Sequence, residues 1–159
     1  MKEIIKYPNP LLETKCEQVT LPLSKEDEKI LDELYETLKN TPNSVGLAAP
    51  QIGVTKRMFV IRKIIDGKVV FNCKMVNPII IPKGTKTYKV PGGEGCLSEP
   101  GIYVEVVRKK SVLLTGYDAI QKKKVMYMLN DFLAAVAQHE LDHLNGICLQ
   151  SKGDKQWEK

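Results

Sequence analysis

The sequence predicts an α+β fold in which antiparallel β-sheets pack around a central buried helix, with an amphipathic helix near the amino terminus. Between Arg57 and Met128 the chain is a series of short β-branched and aromatic runs, separated by turns rich in glycine, proline and asparagine. The two segments with helical periodicity lie on either side of this region. Because strands and helices do not alternate, we expect antiparallel rather than parallel sheets.

Length and composition predict one domain. The chain has 159 residues and a mass of 17.9 kDa, and 43% of its residues are hydrophobic while 27% are charged. This size allows a core without disulfides or structural metals. We expect a single domain over residues 1–150 and a short polar tail over 151–159.

The sequence favours a cytoplasmic location with no membrane partner. The longest apolar run, Phe132 to Ala137, is far shorter than the roughly 18 residues of a membrane span. Residues 1–15 mix acids, prolines and lysines and lack the apolar core of a signal peptide. The four cysteines form no C-x-x-C pair, which is typical of free thiols in a reducing compartment.

The first helical segment follows Ser24, whose hydroxyl is a good helix cap and precedes three acidic residues that suit the positive end of a helix dipole. Apolar residues then recur at helical spacing up to Leu38, and Asn40-Thr41-Pro42 ends the pattern. We expect an amphipathic surface helix here.

The central region predicts six strands, each bounded by turn residues such as Asp66-Gly67, Asn77-Pro78 and Gly116. The strands are Met58 to Ile61, Val69 to Val76, Ile79 to Ile81, Ile102 to Val107, Val112 to Leu114 and Val125 to Leu129.

The second helical segment runs from about Phe132 to Asn145, with Asn130-Asp131 as its cap and Gly146 as its end. Apolar residues cover nearly its whole circumference, so we expect it to be buried in the middle of the domain. The same helix carries the only two histidines of the chain, His139 and His143.

These histidines predict a metal site. They are one helical turn apart on one face, so both imidazoles can reach one cation. The pattern H-E-x-x-H on a helix is typical of metal-dependent hydrolases, in which the intervening glutamate, Glu140, carries the proton. A pair of ordinary core histidines is the competing interpretation, but burying these groups without a partner is costly.

The third ligand is expected to be a thiolate, because no histidine remains. Leu149 stands where one peptidase pattern would have its third histidine, and too few residues follow His143 for a distant glutamate ligand. Cys96, in the glycine-rich segment PGGEGCLSEP, is the best-placed cysteine. Taken without the histidines, Cys96 fits a ligand and an ordinary small thiol equally well.

The segment Ser44–Gln51 has the sequence SVGLAAPQ and is predicted to be a loop of small residues. Small side chains leave backbone donors and acceptors accessible, and the amide of Gln51 can donate a hydrogen bond to a developing oxyanion. Taken alone, this signal is weak.

Three segments together, SVGLAAPQ, EGCLS and QHELDHLNG, closely resemble in order and interval the three signature motifs of peptide deformylase. The similarity extends from Tyr7-Pro8-x-Pro10 to Gly146. It implies one deformylase-like catalytic domain that removes the formyl group from the amino-terminal formylmethionine of new proteins and releases formate.

The resemblance also implies the roles of the site residues. Cys96, His139 and His143 are expected to hold one divalent metal, Fe²⁺ above all, with Zn²⁺, Ni²⁺ or Co²⁺ as alternatives. Metal-bound water is the expected nucleophile, and Glu140 the general acid and base. The side-chain amide of Gln51 and the backbone N–H of Leu97 are expected to stabilise the oxyanion.

The substrate is expected to bind as an extra strand between Val45-Gly46 and Gly95. Four side chains are candidates for the methionine pocket, although ordinary core packing explains them equally well: Val45, Phe132, Ala135 and Val136. Ser44 departs from the glycine usual in the first motif, and the long carboxy-terminal helix of some bacterial members does not follow Gly146. We therefore do not expect ribosome docking through such a helix.

The net charge of +5 includes two basic clusters, Arg108-Lys109-Lys110 and Lys122-Lys123-Lys124. We interpret them mainly as solvated surface, with weak contact to an acidic partner such as the ribosome as the alternative, because no nucleic-acid motif accompanies them. Two other functions stay open at this point: a metallopeptidase or other amidase, and a regulatory protein whose metal is structural.

Overall fold

The computed structural model describes residues 1–152 and 155–158, the last four by their backbone only. Its two α-helices are α1 (Lys25–Lys39) and α2 (Asp131–Leu144). Three short 3₁₀ segments, Pro10–Glu13, Ala49–Ile52 and Leu149–Ser151, connect the larger elements. Neither helix in this part of the chain is long and apolar enough to span a membrane.

The described residues contain ten strands, which run in chain order as follows: β1 (Gly46–Ala48), β2 (Met58–Ile65), β3 (Lys68–Pro82), β4 (Thr87–Tyr88), β5 (Glu94–Cys96), β6 (Glu99–Glu105), β7 (Arg108–Lys109), β8 (Ser111–Asp118), β9 (Lys123–Asn130) and β10 (Lys155–Glu158). They form a five-stranded sheet in the order β1-β2-β3-β8-β9, a three-stranded sheet β10-β6-β5 and a two-stranded sheet β4-β7. All these strand pairs are antiparallel, so the predicted α+β class with antiparallel sheets is confirmed.

The helix α1 covers one face of the five-stranded sheet. The Ser24 hydroxyl accepts a hydrogen bond from the N–H of Asp27 at 3.0 Å and caps its first turn. Its buried leucines, among them Leu34, pack on the sheet residues Met58, Val60 and Val76. The apolar stripe of α1 therefore fills one of the two layers of the core.

The helix α2 lies against the opposite face of the same sheet. Ala134 and Ala137 pack on Phe59, Ile61 and Met75, and their small side chains let the helix approach the sheet closely. A helix that carries polar groups inside the core is thus held between apolar layers.

The structure corrects three local expectations. Asn77-Pro78 does not separate two strands: β3 is continuous, with a bulge in its pairing between Val76 and Ile79. Gly116 lies inside β8, where a Cβ would be 3.0 Å from the carbonyl oxygen of Val76. Asn130 stands at the N-terminus of α2, but its side chain accepts a hydrogen bond from the hydroxyl of Ser111 at 2.6 Å instead of capping the helix.

The segment predicted as a loop of small residues is also more regular than expected. Its middle forms β1, which pairs with Phe59–Ile61 of β2, and its end forms the 3₁₀ turn Ala49–Ile52. Small residues suit this position because β1 lies between α1 and α2 with little space on either side.

The boundary expected at residue 150 stays a prediction. Within the expected polar tail, residues 155–158 form β10 and pair with Ile102–Glu105 of β6. The rest of that segment beyond residue 152 lies outside the described residues.

Candidate metal centre and substrate cavity

Three potential ligands converge between α2 and the end of β5. Cys96 is the last residue of β5, while His139 and His143 lie one turn apart on α2. One ligand atom from each lies within 4.8 Å of the other two. The Cys96 sulfur is 3.4 Å from Nε2 of His143, and the two imidazole rings are 5.1 Å apart.

Glu94 fixes the orientation of the His139 ring. Nδ1 of His139 lies 3.0 Å from a carboxylate oxygen of Glu94, which leaves Nε2 for the side where Cys96 lies. Arg108 donates two hydrogen bonds to the same carboxylate, at 2.9 and 2.7 Å, and a third to Asp142 at 2.6 Å. Burial raises the pKa of Glu94, but the hydrogen bonds from Arg108 and His139 outweigh it and keep the pKa below its usual value.

Sequence reasoning missed Glu94 and misread Arg108. The side chain of Arg108 is only 4% exposed, so the interpretation of its basic cluster as solvated surface is wrong for this residue. Glu94 stands two residues before Cys96, but the pairing of β5 is irregular between Gly95 and Cys96, so strand alternation does not predict where its side chain points. Its partner Arg108 comes from a distant strand, and only the tertiary structure identifies the pair.

The three side chains fit a divalent metal. Burial lowers the pKa of His143, and the neighbouring His139 and Arg108 lower it further, so this imidazole stays neutral and keeps a lone pair for a metal. Two imidazole nitrogens and one cysteine sulfur suit a catalytic site, which needs three protein ligands and one open position. The donor set accepts iron, zinc, nickel or cobalt alike.

Glu140 is buried beside these ligands and close to β1. Its carboxylate lies against Gly46, where a Cβ would be only 2.6 Å from Oε2. Among the described residues its other oxygen, Oε1, is one of the few buried side-chain atoms without a hydrogen-bond partner. Burial raises its pKa to about 7, although the neighbouring His139 opposes this shift. A carboxyl group with such a pKa can both accept and return a proton near neutrality.

Gln51 points its amide nitrogen towards the same centre. Its Oε1 accepts a hydrogen bond from the N–H of Ala48 at 2.9 Å, which fixes the amide plane. Its Nε2 donates to the hydroxyl of Ser98 at 3.1 Å and lies 3.8 Å from the Cys96 sulfur. Ser98, a buried residue that sequence reasoning did not single out, thus helps to orient Gln51.

A cavity of about 530 Å³ opens onto these groups. It brings together all the predicted site residues except His143, which lies deeper and is only 2% exposed. The predicted residues in its wall are Val45, Gly46, Gln51, Gly95, Cys96, Leu97, Phe132, Ala135, Val136, His139 and Glu140. Tyr103, which sequence reasoning did not select, also lines it.

The two strands that border the cavity are both at the edges of their sheets. Gly46 lies on β1, the edge of the five-stranded sheet, and Gly95 on β5, the edge of the three-stranded sheet. An edge strand has unpaired backbone donors and acceptors, so an extended peptide can add to it.

Comparison with known proteins agrees with this geometry. The family model described as polypeptide deformylase matches residues 1–157. A peptide deformylase of Fusobacterium nucleatum is 44% identical over 94% of this chain and 82% of its own length. Peptide deformylase 1 of Bacillus subtilis is 39% identical over 98% of this chain and 91% of its own. The crystal structure of the Thermotoga maritima peptide deformylase superposes with a TM-score of 0.83 at 31% identity, covering 98% of this chain and 99% of that one.

Proposed function

Because the chain belongs to the polypeptide deformylase family, we propose that Cys96, His139 and His143 hold its metal and that Glu140 moves the proton. Peptide deformylases are metal-dependent hydrolases that remove the formyl group from N-formylmethionyl nascent peptides, and this chain is such an enzyme. The observation that carries the residue assignment is the approach of three ligand atoms within 4.8 Å of one another, beside a buried carboxylate.

The native metal of this proposal is Fe²⁺, with Zn²⁺, Ni²⁺ and Co²⁺ as other occupants. When bound, such an ion supplies Lewis-acid chemistry, because it lowers the pKa of a water molecule so that the water can lose a proton and attack near neutral pH. Glu94 supports this role by holding the ring of His139, and the ligation of the metal is therefore coupled to the buried Arg108.

The protein's own groups carry the proton and stabilise the charge. Glu140 removes the proton from the attacking water and returns it to the leaving amine, which its raised pKa of about 7 permits. The Nε2 of Gln51 and the backbone N–H of Leu97 donate to the oxygen that becomes negative during attack. The bond from the N–H of Ala48 to Oε1 holds the Gln51 amide in place, and the N–H that faces the Cys96 sulfur is the one directed at the proposed centre.

The peptide substrate lies between the edge strands β1 and β5 and bonds to the backbone of Val45, Gly46 and Gly95. Backbone pairing of this kind accepts many sequences, so one enzyme can serve many nascent chains. The methionine side chain enters the apolar part of the cavity wall, which is formed by Val45, Phe132, Ala135 and Val136.

The cellular setting completes the proposal. The enzyme acts in the cytoplasm, where bacterial nascent chains emerge, and the exposed lysines Lys122–Lys124 give weak contact with the ribosome. Ser44 supports the substrate loop structurally, because its hydroxyl donates a hydrogen bond to the carbonyl oxygen of Thr41, just after α1, and the carbonyl oxygen of Leu38 lies within 3.1 Å of it.

The test is formate release by anaerobically prepared, iron-loaded protein from formyl-Met-Ala-Ser, with the unformylated peptide in parallel. Glu140→Ala should lose turnover by several orders of magnitude and keep its metal, whereas Glu28→Gln, at an exposed carboxylate on α1, should behave like the wild type. Cleavage of unformylated peptides would instead favour a peptidase. Unchanged activity of Glu140→Ala would remove that residue from the mechanism.

A further inference from the structure

The five-stranded sheet is covered unevenly on the side of α1. That helix packs on the part of the sheet that includes Met58, Val60 and Val76. Beyond the bulge in β3 the same face continues over β3, β8 and β9, and no described helix lies on it.

The pairing register defines what this uncovered face presents. Ile79 pairs with Thr115 and Thr115 with Met126, while Ile81 pairs with Leu113 and Leu113 with Met128. Directly paired residues point to the same side of a sheet, so these six side chains form two parallel rows across three strands. We call these six residues the outer apolar face.

Four of the six side chains of the outer apolar face, those of Ile79, Ile81, Met126 and Met128, are exposed, and Leu113 and Thr115 are partly buried. Met126 is 70% exposed, Ile79 60% and Met128 54%, although the residues that alternate with them on β9 face the core. Single exposed apolar residues are common, but a contiguous group of them typically marks an interaction site.

Lysines predominate among the charged residues around the outer apolar face. Lys124 pairs with Tyr117 at one end of the rows, next to Lys122 and Lys123, and the backbone N–H of Lys83 donates to the carbonyl oxygen of Ser111 at the other end. Two acids, one directly after β9 and one on α1, are each paired with a lysine, Asp131 with Lys110 and Asp32 with Lys74. A second copy of the chain would bring lysines against lysines, whereas an anionic surface complements them.

The position of the outer apolar face also bears on which partner it binds. None of the six side chains lines the substrate cavity, so the face is separate from the candidate site. An exposed apolar surface bordered by lysines has the two features that bind proteins to the interface of a bilayer with acidic headgroups.

Although the sequence predicts no membrane partner and neither described helix can span a bilayer, we propose that the outer apolar face binds the surface of a membrane rich in anionic lipid. The site of deformylation is not blocked in this arrangement, because the substrate cavity lies along β1 and the outer apolar face includes β9, at the other edge of the sheet. Membrane-bound enzyme thus stays open to nascent chains.

The test is co-sedimentation of the metal-loaded full chain with vesicles of phosphatidylcholine and phosphatidylglycerol, and with vesicles of phosphatidylcholine alone. We expect binding to the anionic vesicles only, reduced by salt, and weakened at least tenfold in the double variant Met126→Gln, Met128→Gln. The matched control is Val69→Gln, Val70→Gln, which changes two comparably exposed apolar residues at the β2–β3 hairpin. Deformylase activity should be the same in all three proteins, which also shows that the variants fold.

Three results would overturn the proposal. The first is no binding to anionic vesicles, or equal loss in both double variants. The second is a dimer, detected by light scattering without lipid, that Met126→Gln, Met128→Gln abolishes, since the face would then join two copies. The third is sedimentation with ribosomes that depends on the same methionines while vesicles are not bound.

Discussion

The carboxylate of Glu94 lies 3.0 Å from Nδ1 of His139 and receives two further hydrogen bonds from Arg108. The proposed metal ligand His139 is therefore held by an ion pair whose two side chains are only 4% and 6% exposed. Breaking a buried pair by removing one partner leaves an uncompensated charge, so the geometry of the site and the stability of the fold depend on the same contact.

Replacing Glu94 should weaken metal binding. In Glu94→Gln the ring of His139 loses its charged partner, and we expect affinity for Zn²⁺ to fall about 10- to 100-fold, as for other groups that orient metal-binding histidines. Competition with a chromophoric chelator measures the affinity for Zn²⁺. Glu105→Gln, at a half-exposed carboxylate on β6 that pairs with Lys89, is the control and should bind like the wild type. Equal affinity in the two variants would contradict the role of Glu94.

The same variant predicts a pH dependence of stability in the metal-free protein. The pKa of Glu94 is lowered in the folded state. Its contribution to stability is therefore fully present above the ordinary carboxyl pKa and is lost as the pH falls through the lowered value. Glu94→Gln should therefore lower the free energy of unfolding by about 3–5 kcal/mol at neutral pH and by progressively less in acid. Urea unfolding of both proteins over this pH range is the measurement, and a cost independent of pH would refute the ion-pair interpretation.

Gly46→Ala should slow turnover without loss of metal. The backbone of Gly46 is not left-handed, but the added Cβ would lie 2.6 Å from Oε2 of Glu140 and would displace that carboxylate. A shift of about 1 Å in a catalytic group costs on the order of a hundredfold in rate. Steady-state kinetics with metal analysis checks this, and an unchanged kcat would show that Glu140 tolerates displacement.

Both histidines should be indispensable for tight metal binding, because the chain contains no other. We expect His139→Ala and His143→Ala to lose the metal on gel filtration while circular dichroism still shows a folded protein. Stoichiometric metal in either variant would mean that the ligands are misassigned.

The four thiols should differ in reactivity. Burial raises the pKa values of Cys16 and Cys148 to about 11, and Cys73 is fully buried, so at about pH 8 only roughly one in a thousand of the first two is ionised. Cys96 is more exposed. Iodoacetamide should therefore modify Cys96 first in the metal-free protein, and bound Zn²⁺ should protect it. Peptide mass spectrometry identifies the site, and modification of Cys16 or Cys148 at the same rate would contradict this order.

Local patterns in the sequence were enough to predict the antiparallel sheets and to propose the residue types of the site. The periodicity of β9 depends only on neighbouring residues, the order of the three motifs can be read along the chain, and a glutamate between two histidines one turn apart has few other uses. The length of β3 was harder to predict, because Asn77-Pro78 has the chemistry of a turn and only pairing with β8 shows it to be a bulge.

The sequence by itself determined the class of the protein and the histidines and cysteine that converge, because helical spacing and motif order are properties of the chain. Only the tertiary structure decided what surrounds them. Arg108 looks like a surface cation in the sequence, yet it is buried because Glu94 and Asp142 reach it from β5 and α2. Such contacts join residues far apart in the chain, and the energy of a buried charge depends on partners that no local pattern contains.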